Sequence, residues 1–341
     1  MDVTVLVGVV EGDPPSRDIL DPRPDVRYVF VDPASPLPAD AADADAMLIW
    51  NVRSGYLREQ WSRFTRLRWV HAGTAGVERV LFPELVASDV VLTNSRYVFD
   101  QALAEYTIGL MLALNKDLPT TFRHQLEHRW VQRESETLSG KTVVMLGVGP
   151  IARRTAQLAK AFGMSVRGIG RTARAGDPDF GDIAASDALP ALFAEADYVV
   201  MVLPSTPQTA GMVGAAALGA LKPAARLVNV GRGSTLDQDA LCTALREGRI
   251  AGAALDVMTP EPLPPDSPLW DVPNLIISPH MSGDHAGWQR EIADLFTRNL
   301  ERFQRGEPLL NVVDKRLGYA PSERPRLWSG WQATMPTWRP E

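Results

Sequence analysis

One turn constrains this chain more than any other feature. The apolar run Val143-Val144-Met145-Leu146 leads straight into Gly147-Val148-Gly149-Pro150-Ile151-Ala152, a GxGxxA pattern between a strand and a helix. Gly147 permits the tight turn, Gly149 lets the backbone approach a diphosphate, and Ala152 lets the helix pack close to the strand. The free N–H groups at the helix start then face the phosphate charge. A chain built around this turn is expected to form a doubly wound α/β domain that holds a dinucleotide, with Gly147, Gly149, Pro150 and Ile151 against it.

The strands around that turn come in two series, and 341 residues are enough for two domains. The second series has six strand candidates: Thr142–Leu146, Ser165–Ile169, 198–203, 226–230, 252–257 and 275–278. Helices fit between them, for example at 151–162 and 237–247. The first series places strands at 3–9, 28–31, 46–50 and 68–71, with a helix-compatible stretch at 57–64. Such alternation indicates βαβ units and parallel sheets. A long amphipathic helix is expected over 100–118, ended by Pro119, and a charged helix over 121–133. A last helix over 285–305 is expected to pack back on the N-terminal unit. The tail 319–341 carries four prolines and Trp328, Trp331 and Trp338. Proline argues against a regular helix there, and the indoles argue for packing on the same subunit or across a partner.

Charge and cysteine narrow the setting. The formal net charge is −6 and no Lys/Arg block appears, so nucleic acid is not an expected partner. A single Cys242 allows no intrachain disulfide. The apolar start lacks a basic lead and is read as a strand rather than a signal peptide. With no uncharged apolar stretch of about 18 residues, no membrane partner is expected and cytoplasm is the expected compartment.

The end of the second strand of the dinucleotide series decides between cofactors. An NAD site usually places an acid there to hold the ribose hydroxyls. Here Gly168-Ile169-Gly170-Arg171-Thr172-Ala173-Arg174 follows, and no acid comes before Asp177. Arg171 and Arg174 suit a 2′-phosphate, and Thr172 can add a hydrogen bond. The expectation is NADP(H), with NAD(H) as the alternative if Arg171 only stacks on adenine.

Three further motifs fall at strand ends, where open α/β sheets bind ligands. They are Asn229-Val230-Gly231-Arg232-Gly233, then Asp256-Val257 running through Pro260-Glu261-Pro262-Leu263, and Ser278-Pro279-His280-Met281-Ser282-Gly283. With these four motifs in order, residues 40–320 resemble the D-isomer-specific 2-hydroxyacid dehydrogenase family, and in particular its glyoxylate/hydroxypyruvate reductases. The resemblance implies hydride transfer between NAD(P)H and a small 2-keto or 2-hydroxy acid, with Arg232, Glu261 and His280 as catalytic residues. The chemistry explains these residue types. Hydride attack on a ketone builds negative charge on oxygen, and a protonated His280 can donate to it. Glu261 fixes the imidazole and favours its charged form. Arg232 offers a fork for the substrate carboxylate and a positive charge near the carbonyl.

The resemblance also implies a Rossmann cofactor domain, 99–284, inserted in a split flavodoxin-like substrate domain, 1–98 plus 285–318. It implies a homodimer built on the cofactor domain. Asp256 resembles the residue that binds the nicotinamide carboxamide, and Leu203, Pro204, Thr209, Val230, Ser282 and Gly283 complete the expected cofactor surface. Ala75 and Gly76, in His71-Ala72-Gly73-Thr74-Ala75-Gly76, resemble carboxylate-binding backbone donors, and Arg53 lies on another loop, where it either approaches the substrate or is a solvated arginine. Trp130 is read as a core residue, or as a side chain lent to a neighbouring subunit. His124 and His128 lack the carboxylate or cysteine partners of a metal site, so no metal is expected.

Three other functions fit the fold. A formate dehydrogenase carries Gln where this chain has Glu261. A transcriptional corepressor, or a paralogue that binds NADP without turnover, would share the motifs. The intact Arg232, Glu261 and His280 favour an enzyme, and the substrate class stays open between glyoxylate, hydroxypyruvate and related 2-keto acids.

Overall fold

A computed structural model of the chain describes residues 2–8, 17–32, 35–50 and 55–320. Arg53 and the tail tryptophans Trp328, Trp331 and Trp338 lie outside the described residues. The chain divides into two compact units, Met1–Arg96 with Gln289–Glu341, and Tyr97–Trp288.

The first unit is built on β1 (Val3–Gly8), β2 (Val26–Val31), β3 (Ala46–Ile49), β4 (Trp69–Ala72) and β5 (Val91–Asn94). They form one parallel sheet in the order β2-β1-β3-β4-β5, the flavodoxin-like order. Both faces are covered. One packs against α1 (Tyr56–Glu59) and α2 (Pro83–Ala87) through Tyr56, Leu57 and Leu85. The other packs Val3, Val5, Val7, Leu48 and Trp69 against Ala293, Phe296 and Leu300 of the last helix. Strands buried on two faces read as continuous apolar runs, which is why β1, β3 and β4 are visible in the sequence. β5 was not expected, because Val91-Leu92-Thr93-Asn94 is short and half polar.

The second unit opens with α3 (Asp100–Asn115) and α4 (Leu118–Leu126). Pro119 does not end a helix as expected. It sits in the first turn of α4, where its missing N–H costs no bond. The charged helix expected over 121–133 stops at Leu126, and His128 takes a left-handed φ of 54°. Arg133 then folds back to donate to Thr121 Oγ1 at 2.6 Å, so this stretch is held by side chains rather than by helical bonds.

Next come β6 (Thr142–Leu146), α5 (Pro150–Ala161), β7 (Ser165–Ile169), β8 (Arg174–Asp177), β9 (Gly181–Ala184), α6 (Leu189–Glu195) and β10 (Tyr198–Met201). The unit ends with α7 (Ala215–Gly219), β11 (Arg226–Asn229), α8 (Gln238–Arg246), β12 (Gly252–Leu255), β13 (Leu275–Ile277) and the start of α9 (Trp288–Arg305). The sheet order is β13-β12-β11-β10-β6-β7-β9-β8, parallel except for the β8–β9 hairpin. Chain order therefore reverses between β6 and β10, the switch point of a doubly wound sheet. Alternate residues of β6 feed the two cores: Val143 and Met145 pack with α3 and α5, Val144 and Leu146 with α6, α7 and α8.

Candidate active site

The cofactor turn sits at the switch point. Gly147 has φ +105°, and a Cβ there would meet the Val202 carbonyl oxygen, on the strand-end next door, at 2.7 Å. Only glycine meets both demands. A Cβ on Gly149 would meet nothing within 4 Å, so the space before α5 is open. The N–H groups of Ile151 and Ala152 have no partner among the described residues. Open space in front of orphan helix donors fits the diphosphate of a dinucleotide.

Neighbouring strand-ends close the rest of that rim. After β10, Leu203 presses its backbone against Gly231, where a Cβ would come within 2.7 Å of it. Thr209 Oγ1 donates to the Pro204 carbonyl at 2.6 Å and accepts from Thr206 N–H at 2.9 Å, which closes the loop after that strand. Arg171 and Thr172 are exposed beyond β7. Arg174, also expected at a phosphate, lies in β8 and donates to Asp177 at 3.3 Å.

Arg232 follows β11 and its loop is locked from inside. Asn229, fully buried, donates to the Arg232 carbonyl at 3.1 Å and accepts from Gly231 N–H at 3.0 Å. Thr235, also fully buried, donates to the same Arg232 carbonyl at 2.7 Å. On the far side Gly233 touches the next loop so closely that a Cβ would lie 2.2 Å from the Met258 carbonyl carbon. Asn229 was quoted in the motif but given no role. The sequence signal was an asparagine directly ahead of Val-Gly-Arg-Gly, at the end of an otherwise apolar strand.

The next link pairs a carboxylate with an imidazole. Glu261 Oε1 accepts from Met258 N–H at 3.1 Å, and Glu261 Oε2 lies 2.8 Å from His280 Nδ1. The Glu261 side chain is 12% exposed and that of His280 is 39% exposed, so the pair joins an enclosed carboxylate to an imidazole open to solvent. Arg232, Glu261 and His280 thus stand on three consecutive strand-end loops, after β11, β12 and β13.

Asp256 directly follows β12. It is fully buried, and its carboxylate accepts from four donors in the loop that carries His280. Ser278 Oγ reaches Oδ1 at 2.7 Å and Met281 N–H at 3.0 Å, while Ser282 N–H, at 3.1 Å, and its hydroxyl take Oδ2. These fill about all four lone-pair sites of the group. His280 N–H also binds the Asp256 carbonyl at 2.8 Å, and His280 has φ +54°. Ser282, expected at the cofactor, thus has its N–H and hydroxyl on Asp256, and Gly283 packs on the Phe99 ring.

In the first unit, the loop of Ala75 and Gly76 turns its carbonyls inward. Ser95 N–H takes the Thr74 carbonyl at 3.0 Å, Asn94 Nδ2 takes that of Ala75, and Thr74 Oγ1 takes that of Gly76 at 2.6 Å. The N–H groups of Ala75 and Gly76 have no partner among the described residues. Two adjacent free donors suit an anion. Trp130, read as a core residue, is fully exposed, because the chain has left α4 before reaching it. No His/Cys/Asp/Glu group suited to a metal occurs among the described residues. No helix of the described residues is long and apolar enough to cross a membrane.

Comparison with known proteins shows what the chain is similar to. A family model described as "D-isomer specific 2-hydroxyacid dehydrogenase, NAD binding domain" matches residues 108–282. A glyoxylate reductase of Korarchaeum cryptofilum is 31% identical over 260 residues, which is 74% of this chain and 77% of the relative. Among solved structures, a D-isomer specific 2-hydroxyacid dehydrogenase of Xanthobacter autotrophicus Py2, in complex with NADPH and MES, is 31% identical. It has a TM-score of 0.80 and covers 94% of this chain and 100% of its own. An NADPH-dependent glyoxylate/hydroxypyruvate reductase of Sinorhizobium meliloti, in complex with NADP and sulfate, is 25% identical with a TM-score of 0.79, covering 93% and 100%.

Proposed function

The chain belongs to the D-isomer specific 2-hydroxyacid dehydrogenase family and is an oxidoreductase that uses a nicotinamide cofactor, and we propose that it reduces glyoxylate, hydroxypyruvate or a close 2-keto acid with NADPH. The observation that carries this reading is the 2.8 Å pair between His280 Nδ1 and Glu261, at strand-ends of the dinucleotide sheet.

The bound cofactor supplies the hydride. This chain's residues hold the acid and move one proton. Glu261 accepts Nδ1–H of His280, which fixes the ring and leaves Nε2 to work on the substrate. In reduction, Nε2–H donates to the oxygen as its charge develops, and the ring is left neutral with Nδ1–H still on Glu261. In oxidation, neutral Nε2 takes the hydroxyl proton of the 2-hydroxy acid. The exposed edge of His280 then exchanges the proton with solvent. Arg232 supplies a positive fork for the carboxylate and lowers the cost of charge on the carbonyl oxygen. Ala75 and Gly76, in the first unit, offer free N–H groups that suit an anionic group, and Asp256 holds the His280 loop.

NADPH is preferred through Arg171 and Thr172. The subunit is a homodimer built on the cofactor unit. Phe122, Leu126 and Trp130 support this, because one short stretch of that unit exposes 58%, 83% and 100% of three large apolar side chains. The proposed compartment is the cytoplasm, in keeping with a single buried thiol, Cys242.

A panel of 2-keto acids assayed with NADPH and NADH tests the reading. The expected result is turnover with a preference for NADPH, and an Arg171→Ala variant that loses most of that preference. Equal use of both cofactors by the wild type, or an unchanged preference in Arg171→Ala, contradicts the NADPH assignment.

A further inference from the structure

Arg153, in the first turn of the cofactor helix, has no part in the scheme above. Its guanidinium holds two carboxylates at once. Nη1 donates to Asp177 Oδ1 at 2.8 Å and to Asp179 Oδ2 at 2.7 Å, and Nη2 donates to Asp177 Oδ2 at 2.6 Å. The same group lies 5.3 Å from the centre of the Phe180 ring. Gln157, one helical turn on, donates to Asp179 Oδ1 at 2.9 Å. Three of these partners, Asp177, Asp179 and Phe180, are in the strand β8 and turn of the β8–β9 hairpin, which follows Arg171 and Thr172 directly.

Two consequences follow from the charges. The two carboxylates share one guanidinium nitrogen, so without Arg153 they face each other with the longer 3.3 Å contact from Arg174 to Asp177 as the remaining ion pair described there. Arg153 therefore holds the Asp177 carboxyl well below the usual carboxylate range, against the burial that opposes it. Over the segment 171–182, Arg171 and Arg174 stand against Asp177, Asp179 and Asp182, and Arg153 is the third cation that balances three anions. Asp177 is also the first acid after β7, the residue type that favours NAD when it is free to hold ribose hydroxyls. Here Arg153 occupies it.

We propose that Arg153 is a positioning residue for cofactor choice: it pins the hairpin behind Arg171 and Thr172 and cancels the negative charge that would otherwise repel a 2′-phosphate. The proposal rests on the reading that Arg171 and Thr172 receive that phosphate. A clamp of purely structural value would lower stability without touching the choice of cofactor.

Calorimetric binding of 2′,5′-ADP and 5′-AMP to the full chain separates these cases without any turnover. In Arg153→Met the ratio of the two affinities is expected to fall about tenfold against 2′,5′-ADP, the order of one partly screened charge. In Asp177→Asn/Asp179→Asn, which keeps Arg153 and amide partners for it, the ratio is expected to rise. The opposite signs identify the electrostatic role. A ratio that stays at the wild-type value in the second variant, or falls in both variants, overturns the proposal, whether or not Arg153→Met folds. Arg171→Ala reports separately on the phosphate reading. If that variant keeps the wild-type ratio, the phosphate is bound elsewhere and both readings fall. If it loses the ratio while the Arg153 and Asp variants do not change it, only the role of Arg153 falls.

Discussion

At the scale of single residues, two histidines show how far side-chain chemistry depends on place. His71 is fully buried between Thr93 Oγ1, 2.7 Å from Nδ1, and Ser95 Oγ, 3.2 Å from Nε2. Trp69 and Phe296 flank the ring. Burial pushes its pKa down to about 3, so it is neutral in the folded protein. The unfolded chain protonates this group below about pH 6.5, while the folded protein does not until far lower pH. Stability from this site is therefore whole above about pH 6.5 and is lost as pH falls from there toward 3, by about 2 kcal/mol at pH 5. Denaturant unfolding of the wild type and of His71→Gln at pH 7 and pH 5 checks this: the variant is less stable at pH 7 but loses less on acidification. An equal loss in both would mean that His71 does not set the acid limb. Nothing in the sequence separates His71 from His280 except that the latter sits in a strand-end motif. Asp256 teaches the same lesson. The motif gave its identity, but its partners come from a loop 22 to 26 residues further on, and only the fold brings them together.

At the scale of elements, the Gly-Arg-Gly loop explains why the site is a linked set. Gly233 leaves no room for a Cβ against Met258, and Met258 N–H in turn orients Glu261. Gly233→Ala is expected to push the Met258 loop away and pull Glu261 from His280. Overpacking of this kind costs about 1–3 kcal/mol in stability. The expected kinetic sign is a fall in kcat larger than any change in KM for the cofactor. A variant with normal kcat would mean that the two loops move independently. Elements with strong apolar period were legible in the sequence, including all six main strands of the second sheet and the helices α3, α5 and α8. Others were not. The β8–β9 hairpin is polar and exposed, and side-chain clamps from α5 hold it, so no apolar period marks it. The stretch after α4 is rich in helix formers, yet it has no face to bury within the chain: Trp130 and most of its neighbours are exposed.

At the scale of the whole molecule, the mostly parallel pairing of both sheets follows from the alternation of strands and helices, and each order contains a switch point, where open α/β sheets bind ligands. The strand-end motifs were legible because chemistry in open α/β sheets concentrates there, and all four fall on loops that follow strands of the second sheet. The supporting layer of Asn229, Thr235, Ser278 and Arg153 was not legible, since buried polar partners carry no period of their own. His280, held by Glu261, is proposed to deliver the proton that completes hydride transfer to a 2-keto acid. Turnover of glyoxylate and hydroxypyruvate with NADPH, measured for the wild type and for His280→Ala, tests it most directly. The expected result is turnover by the wild type and a fall in kcat of about 100-fold to 10,000-fold in the variant, with 2′,5′-ADP binding retained. Near-normal kcat in His280→Ala would contradict the account.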